Sequence, residues 1–550
     1  MPADDRLDSW KEIAAYLGRE VRTVQLWEKS EGLPIHRQQH ARQGSVYAFK
    51  SELDVWREAR KTAHVEKFPR RPIALAGSTA ALILIAVGGW LYAREHRAPL
   101  TSVVVLPFVD FSPQHDQEYF SDGLTEEIID ALSRVPNLRV VARTSAFAFK
   151  GKPNDVREIG KQLDVSAVLE GSVRKAGDQL RITAQLNRAS DGTHLWSRTY
   201  DRQMRDIFAV QREISQAIAE QLRAGDIPLH EQTRDVEAWR LYQEGRYFFN
   251  QFLPPESNLK AIDRYQQAVQ RDPKFALAYA GMADAYAYLA ENFVVAPREV
   301  MPKAKAAAEK AVELDPNSAE AHTSLGAVKL DYDWDREGAQ RELKRAMQLN
   351  PGFAWARHWY AHALESQNRM EDALQEMRAA LALDPLNIPI NWDIGNELIC
   401  LGRFDEAVRH LRKAYDLFPK VPTIGLVLVA ALNRTGDVAG ANRIVDEMKK
   451  NSPELNQDPS LMAFFALAEV NSGHRSEGRR VLDELEQIRK KQYVDPFSVL
   501  ELCAALNDEK NLHLWLKRME EERSTIYVYL DVFMRAYVQD TLAKAKNRER

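Results

Sequence analysis

The sequence predicts a multidomain, membrane-anchored chain: a small head of helices and a hairpin, one transmembrane helix, an α/β sandwich and an all-α solenoid. Three observations predict it. An uncharged apolar run interrupts a chain in which 28% of residues are charged. Short β-branched runs alternate with amphipathic stretches beyond that run. Towards the C-terminus, proline-marked breaks recur at a near-constant spacing, which is the signature of stacked helix pairs. At 550 residues the chain exceeds the roughly 250–300 residues at which single cores stop growing.

The head covers residues 1–62. In LDSWKEIAAYLGREVRTVQLWEKSEGLP, Ser9 is placed to cap a first helix with Trp10, Ile13, Ala14 and Leu17 on one face, and Glu12 stands at the capping-box offset. Gly18 ends that helix. A second, from about Val21 to Ser30, turns Val24 and Trp27 inward and leaves Arg22, Thr23, Gln25 and Lys29 on its other faces. The stretch IHRQQHARQGSVYAF suits a two-stranded wing with Gly44 near its tip, and Ser51 is expected to cap a last helix carrying Leu53, Val55 and Trp56.

A helix, a glycine turn and a second helix rich in Arg, Thr and Gln is the arrangement that presents a recognition helix to the DNA major groove. IAAYLGREVRTVQLWEKSEGLP followed by a basic wing resembles the winged helix-turn-helix of MerR and excisionase-type regulators over roughly residues 7–60. The resemblance implies duplex DNA as a partner. Arg22, Thr23 and Gln25 would meet base edges or nearby phosphates, and Lys29, His36, Arg37, His40 and Arg42 would hold phosphates. Glu20 departs from the pattern, standing where a Ser or Thr cap is usual.

Residues 63–72 read as a basic juxtamembrane linker, and residues 73–93 as the membrane partner. No charge occurs from Ile73 to Ala93, and about 20 helical residues cross a hydrocarbon core of roughly 30 Å. The flank before the span holds Arg57, Arg60, Lys61, Lys67, Arg70 and Arg71, whereas only Arg94 and Arg97 follow closely. That bias keeps the N-terminus in the cytoplasm, with Trp90 and Tyr92 at the far interface. The expected location is a bacterial inner membrane crossed once, with the C-terminal region extracytoplasmic.

Residues 102–224 form the α/β sandwich. TSVVVLPFVDF reads as a buried strand, SDGLTEEIIDALSRV as a helix capped by Ser121 and Asp122, LRVVA as a strand and DVREIGKQL as a helix. Two long strands then join at Ala176-Gly177-Asp178, a further segment lies near Trp196, and a helix from about Asp206 to Leu222 closes the domain. Asp110, Asp122, Glu126 and Glu127 suggest an acid/base set, but Asp122 is read as a helix cap with Ser121, and Glu126 and Glu127 as first-turn anions, so the structural reading is preferred. VLPFVDFSPQHDQEYFSDGLTEEI and DVSAVLEGSVRKAGDQLRITAQL resemble the TolB N-terminal-like domain of bacterial envelope proteins, which also accompanies adenylate cyclase catalytic domains and tetratricopeptide repeats.

Residues 236–550 make the solenoid. Asp272-Pro273, Asp315-Pro316, Asn350-Pro351, Asp384-Pro385, Phe418-Pro419 and Ser452-Pro453 punctuate it, each proline stopping a second helix. Ala361, Ala373 and Ala380 permit close helix crossing, with Tyr360, Leu364 and Met377 filling the groove. Ile394, Gly395, Leu398, Ala407, Leu411 and Ala414 repeat the theme, and residues 292–301 form an insertion. The spacings resemble the tetratricopeptide family, with about six clear repeats and one or two degenerate ones to the C-terminus. That resemblance implies a groove for a protein or peptide partner; Tyr279, Tyr286, Trp355 and Trp359 fall mostly to its core.

The net charge of −4 confines DNA contact to a local patch. Two cysteines, Cys400 and Cys503, cannot build a disulfide framework. Neither a Cys/His metal motif nor a GxxxxGK[ST] loop occurs, so no catalytic residue, cofactor or metal is expected and the protein is read as no enzyme. The layout resembles CadC- and ToxR-type membrane-anchored regulators. It points to a one-component transcription regulator, with a homodimer as the means of signalling through one helix. The alternative is an envelope scaffold that assembles complexes through its repeats.

Overall fold

The computed structural model describes residues 5–38, 45–63, 100–114, 117–152, 155–227, 233–250, 256–419, 421–451 and 457–539. The chain forms two compact units, Met1–Arg97 and Ala98–Arg550. The expected span at 73–93 and nearly all of the linker lie outside the described residues; among those described, no helix is long and apolar enough to cross a membrane.

In the first unit, α1 (Trp10–Leu17) and α2 (Val21–Glu31) precede a hairpin of β2 (His36–Gln38) and β3 (Ser45–Phe49), followed by α3 (Lys50–Ala63). The Ser9 side chain accepts from the Glu12 N–H, and Gly18 ends α1 in the left-handed region at φ 63°. A strand not anticipated, β1 (Arg6–Leu7), pairs with β3 to give the order β1-β3-β2. Ser51 is not the cap of α3. Its N–H donates to Asp5 Oδ1 at 3.2 Å and its hydroxyl to Asp5 Oδ2 at 2.7 Å, so the N-terminal segment supplies the anion for that helix end. Ile13, Ala14, Leu17, Val24, Leu33, Ala48 and Leu53 form the core.

The second unit begins with a mixed sheet in the order β6-β4-β7-β8-β9, with β5 also beside β7. The run read as one strand is two, β4 (Ser102–Val105) and β5 (Val109–Asp110), because Pro107 cannot donate a ladder bond. β4 runs parallel to β6 (Arg139–Val140) and β7 (Ala167–Ala176). β7, β8 (Gln179–Arg188) and β9 (His194–Gln203) are antiparallel, the first pair closed by a two-residue turn in which Gly177 takes φ 59°. Helix α4 spans Glu118–Ser133, a turn earlier than expected. Ser121 and Asp122 therefore sit inside it rather than cap it, and Glu126 and Glu127 lie mid-helix rather than in its first turn. Helix α5 (Arg143–Phe147) has no counterpart in the sequence pattern; α6 (Val156–Leu163) and α7 (Ile207–Leu222) do.

The solenoid follows as helix pairs. They are α8/α9 (Val236–Phe249, Glu256–Arg271), α10/α11 (Ala276–Glu291, Pro297–Leu314), α12/α13 (Ala319–Asp331, Arg336–Leu349) and α14/α15 (Ala354–Glu365, Met370–Leu383). Then come α16/α17 (Ile388–Cys400, Phe404–Leu417), α18/α19 (Pro422–Thr435, Val438–Asn451), α20/α21 (Pro459–Asn471, Arg475–Ile488) and α22/α23 (Pro496–Ala505, Glu509–Glu521). The turns inside the later pairs share a left-handed residue at Trp334, Asn368, Gly402, Gly436, Gly473 and Asn507. Gly and Asn tolerate that conformation; Trp does not readily, and Trp334 is held in it by ring contacts described below. Past α23 the chain leaves the repeat pattern. Instead of degenerate repeats running to the C-terminus, residues 525–539 form a 3₁₀ turn (Thr525–Tyr529), α24 (Leu530–Phe533) and a π turn (Met534–Gln539).

Candidate functional site: head surface and solenoid groove

On the head, Arg22 and Lys29 are exposed on α2, and neither has an ion-pair partner among the described residues. Thr23 and Gln25 are half-buried beside them. Glu20 forms no side-chain cap, yet α2 still starts at Val21, with the Thr23 and Val24 N–H groups donating to the Glu20 carbonyl. The two described wing residues have acid partners. Arg37 pairs with Glu28 at 2.6 Å, and His36 Nε2 lies 2.6 Å from Glu52 while its ring stacks on Tyr47. His40 and Arg42, at the wing tip, lie outside the described residues. Leu26 on α2 and Val55 on α3 are 60% and 71% exposed.

The α/β domain and the solenoid share a core, which no sequence pattern foretold. Trp239 of α8, 1% exposed, packs edge-on against Phe120 and Phe208, with ring centroids at 5.6 and 5.9 Å. Glu126 accepts hydrogen bonds from Arg143 and from Arg246 of α8, the latter at 2.9 Å. Burial pushes the Glu126 carboxyl upward, but the two guanidinium groups outweigh it and hold the group below the ordinary carboxylate range. Its neighbour Glu127 accepts only neutral donors, Trp239 Nε1 at 3.2 Å and Gln243 Nε2 at 3.0 Å. Burial, followed by the charge of Asp130, raises Glu127 to about 7.

The repeat turns complete this joint. Ser145, on α5, donates to Asp384 from both its N–H (2.9 Å) and its hydroxyl (2.5 Å), and its oxygen accepts from the Leu386 N–H. Asn350 Nδ2 donates to Ser133 at 2.9 Å, and Arg134 reaches Glu320 at 3.4 Å. Two of the Asx-Pro breaks that mark the repeats thus grip the α/β domain as well. Asp110 and Asp122 are structural: Asp110 accepts from the Ser112 and Gln117 N–H groups, and Asp122 accepts from Lys150.

Because folded Glu127 keeps its proton to about pH 7 while the unfolded carboxyl releases it near the ordinary value, folding binds a proton across that window. The stability contributed below the unfolded pKa is therefore lost as pH rises through the folded one. Glu127→Gln, which keeps both hydrogen bonds, is expected to flatten the fall in melting temperature between about pH 5 and about pH 8. An unchanged profile in thermal scans of the two proteins would remove Glu127 as the source of that fall.

The groove is the face lined by the first helices of successive pairs, and the chain's own C-terminal segment lies along it. Arg336 donates to the Val528 carbonyl at 2.8 Å, Tyr529 OH to Asp331 at 2.9 Å, Arg535 to Asn368 at 2.6 Å, and Tyr537 OH to Asn396 at 2.6 Å. Arg434 donates to the Ala536 carbonyl at 2.7 Å. Tyr527 stacks on Trp334 at 4.4 Å, with the Arg523 guanidinium 4.0 Å from the Trp334 centroid. These contacts hold Trp334 in its left-handed conformation. Beneath the segment lies the one grouping of donors at metal-ligand spacing among the described residues, His358, His362 and Asp393. Tyr279 and Tyr286 are half-buried, Trp355 stacks on His358 at 4.5 Å, and Trp359 is buried.

A family model described as "Tetratricopeptide repeat" matches residues 335–390, which fall on α13 to α16. The chain contains tetratricopeptide repeats within a helical solenoid. It is 36% identical over 242 residues to "Putative adenylate cyclase 3" of Rhizobium meliloti, covering 43% of this chain and 40% of that protein. It is 29% identical over 150 residues to "Transcriptional regulator HilA" of Salmonella typhimurium, covering 27% of each. The chain therefore spans well under half the length of these curated relatives. Among solved structures, a thermophilic TPR protein from Thermus thermophilus aligns over 36% of this chain and 98% of its own, with 18% identity and a TM-score of 0.31.

Proposed function

We propose that this protein is a single-span, membrane-anchored transcription regulator whose head binds duplex DNA and whose tetratricopeptide region binds a protein or peptide partner. The observation that carries the DNA-binding half is α2: a short helix after a glycine turn that exposes Arg22 and Lys29 next to a hairpin wing. The partial similarity to a protein named as a transcriptional regulator agrees with it. The non-enzymatic reading rests on the repeat fold, although one partial relative is named as an adenylate cyclase.

In this reading residues 73–93 cross the membrane once, the head stays in the cytoplasm, and a homodimer supplies two recognition helices. A reporter enzyme that works only outside the cytoplasm is expected to be active when fused after Leu100 and inactive when fused after Lys61. The reverse pattern would sink the topology and the DNA-binding role with it. Arg22→Ala is expected to lose about 1–3 kcal/mol of DNA affinity.

A scaffold role for the head is favoured by a different observation. Arg37 and His36 already face Glu28 and Glu52, while Leu26 and Val55 offer apolar contact to a protein. A head that captures protein while binding no DNA under any salt condition would select this second reading.

A further inference from the structure

We propose that His358, His362 and Asp393 form a buried three-donor site for a divalent transition-metal ion of the zinc type, tying two neighbouring repeats together, with water in the fourth position. This goes beyond the regulatory reading, and its test is separate from DNA binding.

The donors come from two helices. His358 and His362 are one turn apart on α14 and share a helix face, and Asp393 stands on α16. His358 Nε2 lies 2.9 Å from Asp393 Oδ2 and His362 Nε2 lies 3.5 Å from the same oxygen. The donor atoms of these three residues fall within 4.8 Å of one another. Ligands around tetrahedral zinc, each about 2.0–2.2 Å from the ion, stand ~3.3 Å apart, so the observed separations need only small adjustment.

Glu397 supplies the independent observation. It is 1% exposed, and neither of its carboxylate oxygens has a hydrogen-bond partner among the described residues. A buried carboxylate in that state must take up a proton or meet a cation. It stands one helical turn beyond the donor Asp393 on α16. The surroundings are anionic: Asp331, Glu365, Asp393 and Glu397 are all buried, against the two imidazoles. A divalent ion would balance that excess.

The next layer is also in place. His362 Nδ1 lies 2.9 Å from Glu365 Oε2, the carboxylate–histidine arrangement that fixes the tautomer and leaves Nε2 free to ligate. Tyr529 covers the cluster, its ring 5.8 Å from that of His362. An imidazolium at His362 bridging Glu365 and Asp393 would account for those two acids but leaves Glu397 unpartnered.

The test uses the full-length protein without a histidine tag, stripped with chelator, dialysed against Zn²⁺ or Co²⁺ and desalted. About one equivalent of metal is expected to remain, with a cobalt spectrum of tetrahedral intensity and no sulfur charge-transfer band despite nearby Cys400. Glu365→Gln is expected to weaken affinity about 10–100-fold without removing a ligand. His358→Gln and Asp393→Asn are expected to abolish retention while keeping native helix content. Metal retained equally by those two variants, an octahedral cobalt spectrum, or no retained metal in the wild-type protein would each overturn the proposal. If a ligand variant fails to fold, the wild-type spectrum and the Glu365→Gln titration still decide.

Discussion

Glu126→Ala is expected to destabilise the Ala98–Arg550 unit by about 3–5 kcal/mol, the cost of stranding buried charge once its partner is removed. The side chain is only 12% exposed and sits between Arg143 at 19% and Arg246 at 29%, so water cannot replace the lost carboxylate cheaply. Asn250 also donates to it, at 3.4 Å. Because Arg143 belongs to the α/β domain and Arg246 to the first repeat, the loss falls on the joint. Hydrogen exchange is expected to rise together in α4, α5 and α8, and the urea midpoint to fall. A shift below about 1 kcal/mol, as for an exposed pair, would contradict a buried joint.

Tyr529→Ala is expected to cost a similar ~3–5 kcal/mol, the usual loss for emptying a buried aromatic site. The ring is 5% exposed, touches His362 and Phe533, and its hydroxyl satisfies Asp331. Removing it leaves a cavity and a buried carboxyl without its donor. Ending the chain before Thr525 should go further, exposing the inner ends of α12, α14 and α16. Faster exchange in those helices, with α4 unaffected, is the predicted outcome for both variants. Unchanged protection would mean that the segment does not occupy the groove in solution.

Occupation of the groove by the C-terminal segment also bears on partner binding. A partner entering along the same face must displace residues that hydrogen-bond to α12, the α14–α15 turn, α16 and α18, so the groove is open only at the expense of its own C-terminal segment. The truncated chain is therefore the sensible reagent for finding that partner.

The local pattern of the sequence was legible where one short stretch decides the structure. Ser9, Gly18, Gly177 and the Asx-Pro breaks carry their conformational reasons with them, and the helix and hairpin boundaries near them fall close to where those residues place them. What could not be read was set by distant residues. The anion at the start of α3 is Asp5, 46 positions away from Ser51, and no local pattern announces it. α4 begins early because Phe120, Leu124 and Ile128 bury its first turns against the sheet and α8, which overrides the cap signal of Ser121. Glu126 and Glu127 looked like first-turn anions for the same reason; apart from Arg143, the partners that hold them lie more than 100 residues downstream. The one usable hint was an excess of carboxylates on a face otherwise apolar. HxxxH in α14 carries a helical spacing that could have suggested a donor pair, but only the stacking of adjacent repeats brings Asp393 of α16 to it.

The most direct measurement for the central claim is salt-dependent capture of duplex DNA by the full-length protein in detergent, starting from a random-sequence pool and repeated with Arg22→Ala and Lys29→Ala. DNA binding through α2 predicts enrichment of a shared sequence and a binding constant that falls steeply with log salt concentration, by about 0.9 in slope for each phosphate neutralised. Lys29→Ala should reduce that slope by about one contact, and Arg22→Ala should cost about 1–3 kcal/mol and relax the sequence preference. A binding constant indifferent to salt, to Arg22 and to Lys29, or the absence of any enriched sequence, would contradict it.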